Sequence, residues 1–311
     1  MQWRNVGDSG QQVSALGLGT MAWGMDVEDE SAREQLRMFI EAGGNLLCTA
    51  PRYSDGQAEA MLGALLGDAV ARSEVVLAVQ GGSTRHWGGR RLDVSRKGLL
   101  DSLDASLSRL GTESVDFWLA PSTGGDVPIE ETLGALETAH RTGRARYVGV
   151  ANNTGWELAR ACATAGFPVT AHESEYSLLN RTAEREAIPA AKALGVGIFA
   201  WGPLGRGVLT GKYRSQTPAD SRAASDVWAP YVEPYLSGRP VRVTEAVCTA
   251  AKGLELPPQD VALRWLIHRP VVAAAVVGVR TSHQLKELLD SSDNPLPAQI
   301  AEVLDEVSAP G

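Results

Sequence analysis

Cysteine is scarce: three residues in 311, Cys48, Cys162 and Cys248, far apart and odd in number. They make neither a disulfide framework nor a metal-ligand spacing, so no metal is expected. Long apolar runs are also missing. The longest candidate, Pro270 to Val279, has the length of one buried strand and falls well short of the roughly 18 apolar residues of a membrane span. The first twenty residues lack a basic start followed by an apolar stretch, so they do not read as a secretory signal. Cations are in deficit, since 29 Lys and Arg against 37 Asp and Glu give a formal charge of −8. That balance argues against nucleic acid or an anionic membrane as partner. No long block of like charge appears and 44% of residues are hydrophobic, which excludes disorder. The expectation is a reduced, cytoplasmic globular protein with a small-molecule partner; a homo-oligomer stays open.

What the chain does contain is an alternation. Short β-branched or apolar runs recur at 15–19, 45–50, 74–80, 114–120, 144–152, 167–174, 195–201 and 271–278, with amphipathic segments between them. Val94 to Leu110 carries Leu99, Leu100, Leu103, Leu107 and Leu110 on one face; Asp93 or Ser95 suits its cap and Gly111 its stop. Ile129 to Arg141 and Ala183 to Leu194 behave similarly. Continuous apolar strands, each followed by a helix, imply a parallel sheet covered on its outer side. Eight such units predict an α/β fold, a single-domain (β/α)8 TIM barrel over residues 1–311. A leading hairpin (residues 2–6 and 11–16) would plug its bottom. The stretch Leu204 to Pro240, Gly- and Pro-rich without periodicity, is expected as a long loop over the C-terminal face.

Two short motifs are rejected. Gly17 to Ala22 fits G-x-G-x-x-A, but no apolar-faced helix follows, and the next strand ends in Cys48-Thr49-Ala50 without an acidic ribose ligand. A tight strand-end turn is the better reading. Residues 207–212 (GVLTGK) resemble a phosphate loop only superficially, because Arg206 stands where the first glycine belongs and Tyr213 replaces Ser or Thr.

A wider likeness covers nearly the whole chain, from Trp3 to Leu289. YSDGQAEAMLG (53–63), PIEETLGALE (128–137), YVGVANN (147–153), EYSLLNR (175–181), GPLGRGVLTGKY (202–213) and VVGVRTSHQLKE (276–287), in this order, resemble the aldo-keto reductases. The resemblance implies a barrel that binds NADPH at its C-terminal face without a Rossmann domain and reduces carbonyls.

It also implies a catalytic Asp, Tyr, Lys and His, and here the chain departs. Cys48 stands for the Asp, Tyr53 is kept, Gln80 stands for the Lys and Pro121 for the His. A free tyrosine has a pKa near 10, and the family's Lys ammonium lowers it. Gln80 brings no charge, and Pro121 has no side-chain donor, so an oxyanion-orienting bond is gone. Simple aldehyde reduction is therefore not expected; an activated C=C bond or an imine demands less oxyanion stabilisation. Tyr53 would be the surviving acid, and Cys48 reads as a small buried residue rather than a nucleophile.

The cofactor positions implied by the resemblance survive better. They are Thr20 at the first strand end, Asn152 and Trp201 at the nicotinamide, and Glu173 where the family has Gln. Gly202, Leu204, Gly205, Arg206 and Gly207 form the pyrophosphate loop, while Gly278, Arg280 and Gln284 fall at the 2′-phosphate and adenine end. NADP rather than NAD follows from the Arg280 guanidinium. Residues 83–91 (STRHWGGRR) read either as a solvated loop or as an anion pocket in which His86 supplies the acid that Pro121 cannot. Trp228, Tyr231 and Tyr235 serve lid packing or substrate stacking. Two rivals to an NADP(H)-binding oxidoreductase stay open: a non-redox dehydratase, cyclase or isomerase on the same barrel, and a catalytically silent binding or regulatory protein.

Overall fold

Alternation at period two, on strands apolar on both faces, requires something to cover each face, and a closed barrel inside a ring of helices does so. The structure, a computed structural model, describes residues 1–86, 89–122, 127–290 and 294–310, with backbone alone at 83–86 and 89–91. β1 (Trp3–Asn5) and β2 (Gln12–Ser14) make an antiparallel hairpin. β3 (Leu16–Gly19), β4 (Leu46–Thr49) and β5 (Val76–Gln80) follow, then a second hairpin of β6 (Ser83–His86) and β7 (Gly89–Leu92). The remaining strands are β8 (Val115–Pro121), β9 (Ala145–Ala151), β10 (Val169–Glu175), β11 (Gly197–Trp201) and β12 (Val272–Val277). Parallel pairing runs β3-β4-β5-β8-β9-β10-β11-β12 and returns to β3. This is the expected (β/α)8 barrel.

The helices are α1 (Asp29–Glu41), α2 (Gln57–Leu65), α3 (Arg96–Leu110), α4 (Ile129–Arg141), α5 (Gly155–Thr164) and α6 (Ala187–Leu194), then α7 (Ala229–Val232), α8 (Arg239–Leu254), α9 (Pro258–Ile267), α10 (Ser282–Leu289) and α11 (Ala298–Ser308). Ser95, not Asp93, caps α3: its Oγ accepts from the Gly98 N–H at 3.1 Å, and Gly111 at φ 62° ends the helix. The sixth helix begins at Ala187 rather than at Ala183, and residues 182–184 form a separate tight turn. Pro189 explains the difference. With no N–H it is tolerated only in a first turn, so the helix must start just before it.

Two layers of core result. Outward-facing strand residues such as Leu47, Leu77, Trp118 and Ile198 pack against the helices. Inward-facing Leu46, Val76, Ala78, Phe117, Leu119, Ala171 and Phe199 fill the barrel, with Phe117 edge-on to Phe199 at 5.2 Å between ring centroids. The first hairpin closes the bottom through buried Val6 and Val13, and the Asp8 N–H donates to the Gly195 carbonyl at 2.8 Å. The residues after Gly19 enter a turn, with the Trp23 N–H on the Thr20 carbonyl, and no helix starts before Asp29. Among the described residues, no helix is long and apolar enough to cross a membrane.

Candidate active site

Following the inward-facing positions to the C-terminal strand ends gives the floor of a site. Leu46 leads to Cys48, Ala78 to Gln80, Leu119 to Pro121, Ala171 to Glu173 and Phe199 to Trp201. Above them lies a cavity of about 540 Å³, in the size range of small-molecule sites. Cys48, Tyr53, Glu173 and Trp201 line it. Gln80 reaches it indirectly: its Nε2 donates to Glu173 Oε2 at 3.2 Å across the barrel interior. Pro121 ends β8 beside Gly82 and does not line the cavity. Thr20 is fully buried below the rim, its hydroxyl on Thr49 Oγ1 at 2.8 Å, and Gly19 and Met21 stand at the wall instead.

Tyr53 opens a strained turn in which Ser54 (φ 46°) and Asp55 (φ 57°) adopt the left-handed region. Of the six non-glycine residues with positive φ among the described residues, four (Ser54, Asp55, Asn152 and Arg206) lie on loops at this end of the barrel. Burial pushes the Tyr53 phenol up and outweighs the nearby Arg52, whose guanidinium carbon sits 4.9 Å from the ring centroid. The phenol is therefore a neutral hydroxyl and a weak acid. Burial also pushes the Cys48 thiol well up, helped by Glu173, so it stays protonated. The Glu173 carboxyl is raised by burial, against the opposing pull of Arg52 and the Gln80 bond. Next along β10, fully buried His172 faces away from the cavity; burial drives its pKa down to about 4, and its Nε2 accepts from the Asn153 N–H at 3.2 Å.

The opposite wall is cationic, with Arg206, Lys212, Arg222 and Arg280 all lining the cavity. Arg222 forms no ion pair among the described residues. Burial lowers its pKa and the neighbouring charge of Arg280 adds to this, against the opposing pull of Tyr231 and Asp26. Arg280 bonds the Asp220 carbonyl, and its backbone N–H donates to Gln284 Oε1 at 3.0 Å. Gly278, Gln284 and Leu288 complete this end. The loop 202–207 turns through Gly205 (φ 55°) and Gly207 (φ 94°), and a Cβ on Gly205 would come within 2.5 Å of Leu179. Gly202, Leu204 and Gly207 line the cavity, whereas Gly205 lies beneath. Asn152 does not line it either; its Oδ1 accepts from Trp201 Nε1 at 2.9 Å and so orients that indole.

Arg206 is committed to the protein. Its guanidinium grips Glu175 with two bonds of 3.0 and 3.1 Å, donates to the Tyr231 carbonyl and lies 4.0 Å from the Tyr231 ring centroid. Tyr235 donates to the same carboxylate at 2.9 Å. This cluster ties the loop 204–240 over the cavity. Trp228 bonds Asp26 at 2.9 Å on the far side of the mouth. Of the three loop aromatics, only Tyr231 lines the cavity.

Sequence reasoning missed Arg52, Glu175, Lys212 and Arg222. Arg52 adjoins Tyr53 and was within reach of a motif reading. The others sit in irregular backbone, or act through contacts that no spacing encodes. The side chain of His86, with those of 83–85 and 89–91, lies outside the described residues, as do Trp87 and Gly88.

Comparison with known proteins agrees with this architecture. The model of the Aldo/keto reductase family matches residues 15–309. The uncharacterized oxidoreductase YrpG of Bacillus subtilis is 30% identical, over 99% of this chain and 96% of that protein. A probable voltage-gated potassium channel subunit beta from Oryza sativa subsp. japonica is also 30% identical over the same shares. Among solved structures, the holo form of aldo-keto reductase AKR11C1 from Bacillus halodurans superposes with a TM-score of 0.80 at 26% identity, covering 99% of this chain and 96% of that one. With barrel, rim cavity and a family match spanning almost its full length, the chain belongs to the aldo/keto reductase family.

Proposed function

We propose that the protein is a cytoplasmic NADP(H)-dependent oxidoreductase acting on a small organic substrate. The observation that carries this reading is the pair Arg222 and Arg280 on one cavity wall: two neighbouring cations, both half-buried, Arg222 without an ion pair among the described residues. Such a pair calls for a multivalent anion, and a phosphate monoester meets both charge and hydrogen-bonding needs. The residues present suit the dinucleotide. Lys212 and the loop 202–207 would take the pyrophosphate, Trp201 with Asn152 behind it the nicotinamide, and Arg280, Arg222, Gly278 and Gln284 the phosphorylated adenosine. When bound, the reduced cofactor supplies hydride to an electrophilic carbon. The chain's own groups bind and orient: Trp201 offers a flat face, Tyr53 offers a neutral hydroxyl to the substrate, and the loop 204–240 excludes water.

NADPH titration followed by tryptophan fluorescence tests this reading. Quenching at micromolar NADPH, with NADH at least about tenfold weaker, is expected from the phosphate contacts. Stereospecific deuteride transfer to a product would establish the redox step. Absence of binding at millimolar NADPH would overturn the reading. Similarity to the rice channel subunit favours a second reading, a regulatory protein, which predicts NADPH binding without turnover of any carbonyl, enone or imine.

A further inference from the structure

The buried strand-end floor of the cavity carries a carboxyl where carbonyl reduction wants a cation. Reducing a carbonyl builds negative charge on oxygen, and a site for it needs cations or strong donors there. Here the strand-end floor offers Cys48, an uncharged thiol, with uncharged Gln80 behind Glu173. The cation at this end, Arg52, is an exposed loop residue that also lines the cavity, its guanidinium carbon 4.9 Å from the Tyr53 ring centroid. The one carboxyl on that floor, among the described residues, is Glu173. It is 8% exposed and lines the cavity, and Oε2 is held by Gln80 while Oε1 has no hydrogen-bond partner among the described residues. Cys48 from β4, with Tyr53 and Arg52 from the loop after it, are the other titratable or charged groups coupled to it. Burial, which raises this carboxyl, keeps a proton on it further toward neutral pH than on a free glutamate.

We propose that the substrate class is an imine, and that Glu173 Oε1 gives its proton to the C=N nitrogen and stays as the carboxylate partner of the resulting iminium. This rests on the NADP(H) reading above. An imine nitrogen is far more basic than a carbonyl oxygen, so a carboxylic acid suffices to protonate it. A carboxylate in a low-dielectric pocket opposes a developing oxyanion and stabilises an iminium. The step balances. The nitrogen gains the proton of Glu173 and an N–H bond, the carbon gains a C–H bond from the hydride of the reduced dinucleotide, and the C=N π bond is lost. The dinucleotide is oxidised by two electrons, the product is an amine, and Glu173 recovers its proton from water. Tyr53, a neutral hydroxyl beside it, positions the substrate.

The test compares 1-pyrroline and other five- and six-membered cyclic imines with cyclopentanone, and separately measures binding of pyrrolidinium against tetrahydrofuran by NMR. Wild-type protein is expected to reduce a cyclic imine with kcat/KM about 100-fold or more above the ketone, and to bind the ammonium in preference to the ether. Glu173→Gln should lower imine kcat/KM by about 100-fold or more, as loss of a general acid does, and abolish the preference for the ammonium. Imine kcat measured at saturating NADPH separates the proton step from any change in cofactor binding, and Glu173→Asp should keep part of both functions. Three results would each overturn the assignment: imine turnover unchanged in Glu173→Gln, no cyclic imine reduced with NADPH bound, or equal binding of ammonium and ether. A rise in NADPH Kd that accounts for the whole loss would overturn it too, by making Glu173 a cofactor ligand. Failure of NADPH to bind would instead sink the oxidoreductase reading, and the fluorescence titration reports that independently of the ammonium arm.

Discussion

At one end of the cavity Cys48, Gln80 and Glu173 stand on strand ends, buried, with no cation among them; at the other, Arg206, Lys212, Arg222 and Arg280 stand on loops and at a helix start. The strand-end groups are held by the barrel itself, and burial is the largest influence on their protonation: a thiol and a carboxyl both raised, the carboxyl against the opposing pull of Arg52 and the Gln80 bond. The cationic wall is assembled by the loop 204–240 and the segment before α10, where Arg206 is paired with Glu175 and Arg280 bonds the Asp220 carbonyl. In this barrel, then, the buried titratable groups stand where the backbone is regular, and the cations where it is irregular.

The largest effect should come from stripping the cationic wall. The double variant Arg222→Ala with Arg280→Ala is expected to raise the NADPH Kd by about 100-fold or more, since each charge-assisted contact is worth about 1.5–3 kcal/mol. A change below about threefold in the fluorescence titration would erase the distinction between the two ends. Next comes a contrast within one strand. His172 is neutral in the fold with its pKa at about 4, while in the unfolded chain it is near 6.5, so the unfolded state binds more protons between these values. Stability should therefore fall as pH drops below about 6.5, by about 2 kcal/mol at pH 5, and His172→Gln should remove that slope in urea melts. Glu173 next to it has the opposite sign: its raised carboxyl favours the fold at low pH, and that contribution is lost as pH rises through the folded value. Glu173→Gln should remove the decline that begins above the ordinary carboxyl value of about 4.3 and leave the His172 slope in place.

Smaller effects separate stacking from chemistry. Trp201→Phe should cost about five- to tenfold in NADPH affinity, the worth of one aromatic contact, and remove most of the quenching. Persistence of the full signal would place its source elsewhere. Tyr53→Phe should lower turnover by only about fivefold, as loss of a single hydrogen bond does. A collapse of a hundredfold or more would move the proton from Glu173 back to the tyrosine.

Much of this was legible in the chain. Apolar runs at regular spacing imply strands buried on both faces, and eight strand–helix units fit a closed barrel better than an open sheet. Period two then carries Cys48, Gln80, Pro121, Glu173 and Trp201 to one end, because successive side chains must point to opposite faces. Pro189 restricted where α6 begins, a constraint the apolar pattern alone did not express. What tertiary structure alone decided are contacts between residues distant in the chain and free of any period: Gln80 on Glu173, 93 residues apart; Arg206 held by Glu175 and Tyr231; Arg222 brought beside Arg280. A sequence specifies which face a side chain takes through local geometry. Which charge it meets, and whether water is left to screen that meeting, depends on how the loops fold back over the barrel.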